Sequence, residues 1–256
     1  MLRVIRERLR LGRLTEADPR GGGALAWVPH VAQPGPVPAG VCPTSALDPR
    51  NPATLDLGAC IFCGACGRAG LVEWEPGVPE PQQRHVPLVV GTRAEPLREL
   101  KRRLRDLRGV FGRSLGVRVV SVGSCNGCEV EVGATMSPFF DLERFGVRFV
   151  ASPRHADVLL VTGVVTRNLA AALVRTVEAT PQPRAVVALG ACGMSGGIFA
   201  GSPHVVGGVA RLVKVDVVVP GCPPPPESIL AGVVEAGRIL SERHRGRATP
   251  SAQASA

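Results

Sequence analysis

Eight cysteines stand in this chain as two separate sets of four, with none left over. Cys42, Cys60, Cys63 and Cys66 lie in the first third; Cys125, Cys128, Cys192 and Cys222 lie in the remainder. Four thiolates are the ligand set of a four-iron cubane, and Cys-x-x-Cys with two further cysteines also suits zinc. Either way, each set requires a fold that brings distant segments to one point. The even division reads as two iron–sulfur sites, and the chain as a carrier of electrons between them.

Composition narrows the setting. At 45% hydrophobic and 20% charged, the 256 residues can bury a sizeable core in one large domain or two small ones. Met1–Arg13 alternates arginine with aliphatic residues and has no apolar signal-peptide core. No apolar run approaches the ~18 residues that span a bilayer. The expectation is a cytoplasmic protein, where clustered cysteines read as metal ligands before disulfides. The net charge of +9 is localised: Met1–Arg20 carries six arginines against three acids, and Arg93–Arg118 nine basic residues against three acids. With aromatics at 4% and no recognition motif, no nucleic-acid partner is expected. A membrane face or an acidic partner fits the charge better.

Residues 1–20 read as a basic amphipathic helix. Leu2, Ile5 and Leu9 share one face of its 1–14 stretch, as in a helix lying at a membrane interface or docked on protein. Residues 21–90, irregular and rich in Gly and Pro at first, hold the first cysteine set, with a short strand at Leu71–Trp74. Residues 91–115 read as a connecting basic helix, opened by Thr92 and Glu95 as a capping box and closed by Gly109 and Gly112. From 116 to 245, Val-rich runs alternate with helical segments. Strands are expected at Val117–Val122, Val147–Ala151, Val158–Thr162, Ala185–Leu189 and Val215–Val219, and helices at Leu169–Ala179 and Glu227–Arg243. That is the pattern of an α/β domain with a buried, mostly parallel open sheet, flavodoxin-like. Residues 246–256 read as a disordered tail.

Cys125 and Cys128 follow the first of these strands, Cys192 the fourth and Cys222 the fifth, in Gly-rich loops. Ligands of open parallel sheets bind outside the carboxyl ends of the strands, so three such loops can meet at one site. All four cysteines are expected in loops, none inside a strand or helix. Zinc remains an alternative on spacing alone.

Three motifs carry a resemblance: Gly123–Glu129 (GSCNGCE), Ala188–Gly197 (ALGACGMSGG) and Val215–Glu227 (VDVVVPGCPPPPE). Together, over about Gly116 to Arg243, they resemble the small-subunit family shared by complex I (NADH-quinone oxidoreductase) and membrane-bound [NiFe]-hydrogenases. The resemblance implies one [4Fe–4S] cluster on Cys125, Cys128, Cys192 and Cys222, beside a large catalytic subunit. The complex I branch usually has adjacent cysteines at the first motif. Here Asn126 and Gly127 separate Cys125 from Cys128, as in formate hydrogenlyase-type small subunits, which favours the hydrogenase branch. Glu129 would lie beside the cluster, as a proton relay or as a hydrogen-bonded structural residue.

The first set is read against the two-cluster ferredoxin run C-x2-C-x2-C-x3-C-P, whose fourth cysteine serves the other cluster. Laid over Cys42-Pro43, the first run finds Ala32, Gly35 and Pro38 at its other positions; laid over Cys60, Cys63 and Cys66, the second finds Gly70 at its fourth. Every ligand of one cluster is lost and every ligand of the other remains. The pattern predicts a single-cluster ferredoxin-like module with a [4Fe–4S] cluster on Cys42, Cys60, Cys63 and Cys66. The chain's opening is likewise similar to the ferredoxin-like subunit of formate hydrogenlyase.

The expected whole is an electron-transfer subunit with two [4Fe–4S] clusters and no catalytic constellation of its own. The resemblance implies a large hydrogenase or complex I-like catalytic subunit as partner, with membrane-arm and electron-input subunits. It places the chain at the cytoplasmic face of the inner membrane, with peripheral contact through residues 1–14. The alternatives are a complex I-like oxidoreductase without nickel and a structural zinc-binding interaction protein.

Overall fold

The computed structural model describes residues 27–31, 36–50, 54–76, 81 and 97–248. The expected helix at 1–20, the Thr92–Glu95 cap and the tail beyond 248 lie outside the described residues.

Valine-rich runs flanked by glycine pair into one sheet. Leu115–Ser121 (β3), Val147–Phe149 (β4), Val158–Thr162 (β5), Ala185–Leu189 (β6) and Val217–Val219 (β7) form five strands in the order β4-β3-β5-β6-β7. Every neighbouring pair is parallel. This is the flavodoxin-like order, with a switch point beside β3.

Two expected strands, β5 and β6, match residue for residue. Three others differ at their ends. Strand β3 starts at Leu115, whose N–H reaches the Gly146 carbonyl at 2.8 Å. Strand β4 stops early, because Ser152 caps a 3-10 turn at Pro153–His155. Strand β7 starts at Val217, since the carboxylate of Asp216 accepts the Val186 N–H at 2.9 Å and pairs with Arg243.

Side chains alternate between two buried faces, as a period of two requires. Val158, Leu160, Ala185, Val187 and Leu189 face one cluster; Leu159, Val161, Val186 and Ala188 face the other. The first face is covered by Leu97–Phe111 (α2), Gly127–Ala134 (α3) and Pro226–Ala248 (α6). Gly109 lies inside α2 rather than ending it; Gly112, at φ +63°, is where the chain turns away. Against the second face pack Arg167–Ala179 (α4) and Gly190–Ser195 (α5).

The segment bearing the first cysteine set joins that second cluster through Ala46, Leu47, Leu55, Leu57 and Val72. Its ends pair as a two-stranded antiparallel sheet, Trp27–His30 (β1) with Glu73–Pro76 (β2), and Ala65–Arg68 (α1) lies between them in sequence. The expected irregular stretch thus contains a strand, and the strand expected at Leu71–Trp74 starts two residues later.

Helix α2 docks by Leu100 and Leu104, each 2% exposed, while Leu107 lies against Gly237 of α6. Leu104→Ala is expected to destabilise the chain by about 2–5 kcal/mol in urea unfolding. A loss below about 1 kcal/mol would show that this contact does not hold the helix.

Candidate iron–sulfur sites

Three strand exits build the second site. After β3 the chain passes Ser124 and the exposed Cys125, turns at Asn126 (φ 70°) and enters α3 with Cys128 in its first turn. After β6 it enters α5 at once, placing Cys192 inside that helix. After β7 it reaches the exposed Cys222. The loop expectation is therefore corrected for Cys128 and Cys192. Both helices start at or just past a strand end, and each opens with glycine, a poor helix former that hid them in the sequence.

Two glycines make room for the thiols. A Cβ on Gly190, itself at φ +77°, would lie 2.9 Å from the Cys128 Sγ. A Cβ on Gly197 would lie 3.1 Å from the Cys192 Sγ. The Ala191 N–H donates to the Gly221 carbonyl at 2.9 Å, tying the β6 and β7 exits together.

The thiols feel one another. Burial first, then the charge of Glu129, then Cys192, Cys222 and Cys125 push the Cys128 thiol up to about 12. Burial, then Cys222 and Cys125, raise Cys192 to about 11. Cys222 is raised by burial, then by Cys125, then by Cys63 of the first set.

Glu129 follows Cys128 and is anchored from the loop after β3 and from the last residue of β5. Its Oε1 accepts from Ser124 Oγ at 2.5 Å and from Thr162 Oγ1 at 2.8 Å. Burial pushes its pKa up, but these hydrogen bonds outweigh burial and hold it below the ordinary value. It therefore stands as a charged acceptor, with Oε2 buried and unpartnered among the described residues. Ser124 and Thr162 were not singled out in the sequence; a threonine ending an otherwise apolar buried strand was the available signal.

The first site is a cavity lined by all four cysteines of its set, together with Leu55 and Trp74. Cys60 and Cys66 are buried, Cys42 half-buried and Cys63 exposed. Left-handed turns at Phe62 (φ 56°) and Gly64 (φ 75°) fold the 60–66 loop, and the Phe62 N–H donates to Cys60 Sγ at 3.4 Å. Cys42 comes from a separate segment, followed by the Leu47–Leu55 bridge. Burial pushes the Cys60 thiol up to about 12 against that N–H bond, with Cys66, Cys42 and Cys63 adding to the rise. The Trp74 indole packs on Gly67 and walls the cavity; it too was missed in the sequence.

The donor sets fit iron–sulfur clusters. Each holds four thiols and no competing imidazole. Burial disfavours their thiolates in the metal-free chain, and a bound cation reverses that, since a coordinating thiol is deprotonated outright. Among the described residues, no three His, Cys, Asp or Glu side chains are close enough to hold one metal ion.

Comparison with known proteins places the second site in a family. Residues 125–236 match the family described as NADH ubiquinone oxidoreductase, 20 Kd subunit, a span that includes Cys125, Cys128, Cys192 and Cys222. Over 60% of its length the chain is 46% identical to the probable membrane-bound hydrogenase subunit mbhJ of Pyrococcus furiosus, covering 92% of that protein. It is 48% identical to formate hydrogenlyase subunit 7 of Escherichia coli over 53% of each chain. It is 43% identical to NAD(P)H-quinone oxidoreductase subunit K 2 of Synechocystis over 46% of this chain and 54% of that one. The chain thus spans about half the length of the latter two relatives. The first cysteine set lies outside the span matched by the family. With its sheet order, its cysteines at three strand exits and this identity to mbhJ, the chain belongs to the NADH ubiquinone oxidoreductase 20 Kd subunit family.

Proposed function

We propose that the chain is an electron-transfer subunit of a membrane-associated, formate hydrogenlyase-like [NiFe]-hydrogenase complex. Cys42, Cys60, Cys63 and Cys66 would hold one [4Fe–4S] cluster, and Cys125, Cys128, Cys192 and Cys222 the other. Such clusters supply one-electron chemistry, tuned by hydrogen bonds to sulfur and by solvent exposure. The observation that carries the reading is the gathering of the eight cysteines into two places, one set around a single cavity and the other at three exits of the parallel sheet. Electrons would pass within one chain between two sites, to or from a large catalytic subunit.

The rim of the second site fits partner docking: Cys125 and Cys222 are exposed, as are Val130, Ile198 and Phe199 at 61%, 59% and 50%. Exposed apolar side chains beside a buried cofactor site are expected to be covered by another subunit. Among the described residues no helix is long and apolar enough to cross a membrane. In this reading the chain would attach peripherally, at the cytoplasmic face.

The spacing Cys125-Asn126-Gly127-Cys128 and the relatives named as hydrogenase and formate hydrogenlyase subunits favour the nickel-containing branch. The second reading, a complex I-like oxidoreductase without nickel, is favoured by the quinone oxidoreductase relative.

Elemental analysis of the complex, purified without oxygen through a tag on this chain, tests the reading. Iron is expected at about eight per chain beyond what its partners contribute. Zinc in its place would contradict electron transfer. Nickel near one per complex selects the hydrogenase, and its absence the quinone-type enzyme. Two variants assign the iron. Cys60→Ser is expected to remove about half of it from the first site. Gly190→Ala, which drives a methyl into Cys128 at a left-handed position, is expected to remove the other half. Equal loss from both sites in either variant would refute two independent cysteine sets.

A further inference from the structure

One surface of the molecule is used neither by the cysteine sites nor by the core. Helix α2 buries Leu100 and Leu104 and turns Arg98, Lys101, Arg102 and Arg105 to one outward stripe, at the three- and four-residue spacing of a helix face. The helix carries six basic residues and two acids, Glu99 and Asp106, and Arg102 pairs with both.

The stripe borders an apolar patch. Lys101 Nζ donates to the Phe139 carbonyl at 2.8 Å, and both Lys101 and Arg105 sit over the Phe145 ring, at 5.1 and 5.5 Å. This fixes α2 against the segment that follows α3. There Phe139 is 61% exposed and Met136 49% exposed. Arg144 adds a cation at 79% side-chain exposure, loosely paired with Asp141, and Glu143 is the remaining acid. The patch lies beyond the far end of α3 from Cys128, and so away from the rim of the second site.

Cations on long flexible stems beside an exposed aromatic and a methionine form the pattern of an interfacial surface: apolar groups enter the headgroup–acyl boundary while cations meet lipid phosphates. We propose that this α2–Phe139 surface seats on an anionic lipid bilayer. Charge complementarity points to lipid: over 97–111 and 136–145 the sequence sets seven basic residues against four acids, beside the exposed Met136 and Phe139. The contact is separate from residues 1–14 and does not rest on the iron–sulfur reading.

The test is cosedimentation of the full chain with vesicles of phosphatidylcholine alone or mixed with phosphatidylglycerol. Binding is expected only to the phosphatidylglycerol vesicles, and to fall as salt screens the cations. Two double variants, R98E with R105E and M136S with F139S, are each expected to bind at least about tenfold more weakly. Their iron content and circular dichroism are expected to stay those of the parent. All four side chains point away from the core, and either pair alone decides if the other misfolds. Parent-level binding by both pairs would overturn the proposal and put any membrane contact elsewhere, residues 1–14 included. Failure of the parent to bind vesicles while it binds an acidic partner subunit would overturn it as well.

Discussion

In a wholly parallel sheet every strand leaves at the same edge, and the rest of this structure depends on that constraint. Both faces of β3–β7 are covered, so the polar strand exits cannot be buried in the layers and must project from one rim. Three of the five exits carry the second cysteine set. Residues about a hundred positions apart in sequence reach one site without any long excursion of the chain. The Asp216–Arg243 pair and the α2–α6 packing matter to function only through this geometry, since they hold the strands and helices that aim the rim.

The rim leaves room for its thiols. Gly190 and Gly197 leave the space that Cys128 and Cys192 occupy, and Ser124 and Thr162 fix Glu129 beside them. Burial raises Cys60, Cys128 and Cys192 far above the range of an ordinary thiol. Such groups are inert as nucleophiles near neutrality and become ligands only when a cation compensates their charge. The same low polarity would make the potential of a bound cluster sensitive to nearby hydrogen bonds and to solvent access. On that ground the indole wall of Trp74 and the exposed Cys63 and Cys222 are the places where the two sites would be tuned and would meet.

Much of this was legible in the sequence. Strands β5 and β6 are short apolar runs bounded by polar or glycine residues, and local pattern located them to the residue. Spacing is a one-dimensional signal, and it grouped Cys42, Cys60, Cys63 and Cys66, which line one cavity. The residues that escaped are those whose role depends on tertiary pairing. Strand β1 lies in a Gly- and Pro-rich stretch and exists through pairing with β2, more than forty residues on. Helices α3 and α5 begin with glycine and are too short to show periodicity. Ser124 and Thr162 belong to different strand exits, and only the register of β3 with β5 places both beside Glu129.

If one chain holds two clusters close enough to exchange electrons, electron paramagnetic resonance of the chemically reduced complex will register it. Two paramagnetic clusters from this chain are expected, with signals that broaden or split each other, and a simple unsplit signal is expected when Cys60→Ser empties the first site. Two signals without mutual splitting, or a single cluster signal in the unaltered chain, would contradict it.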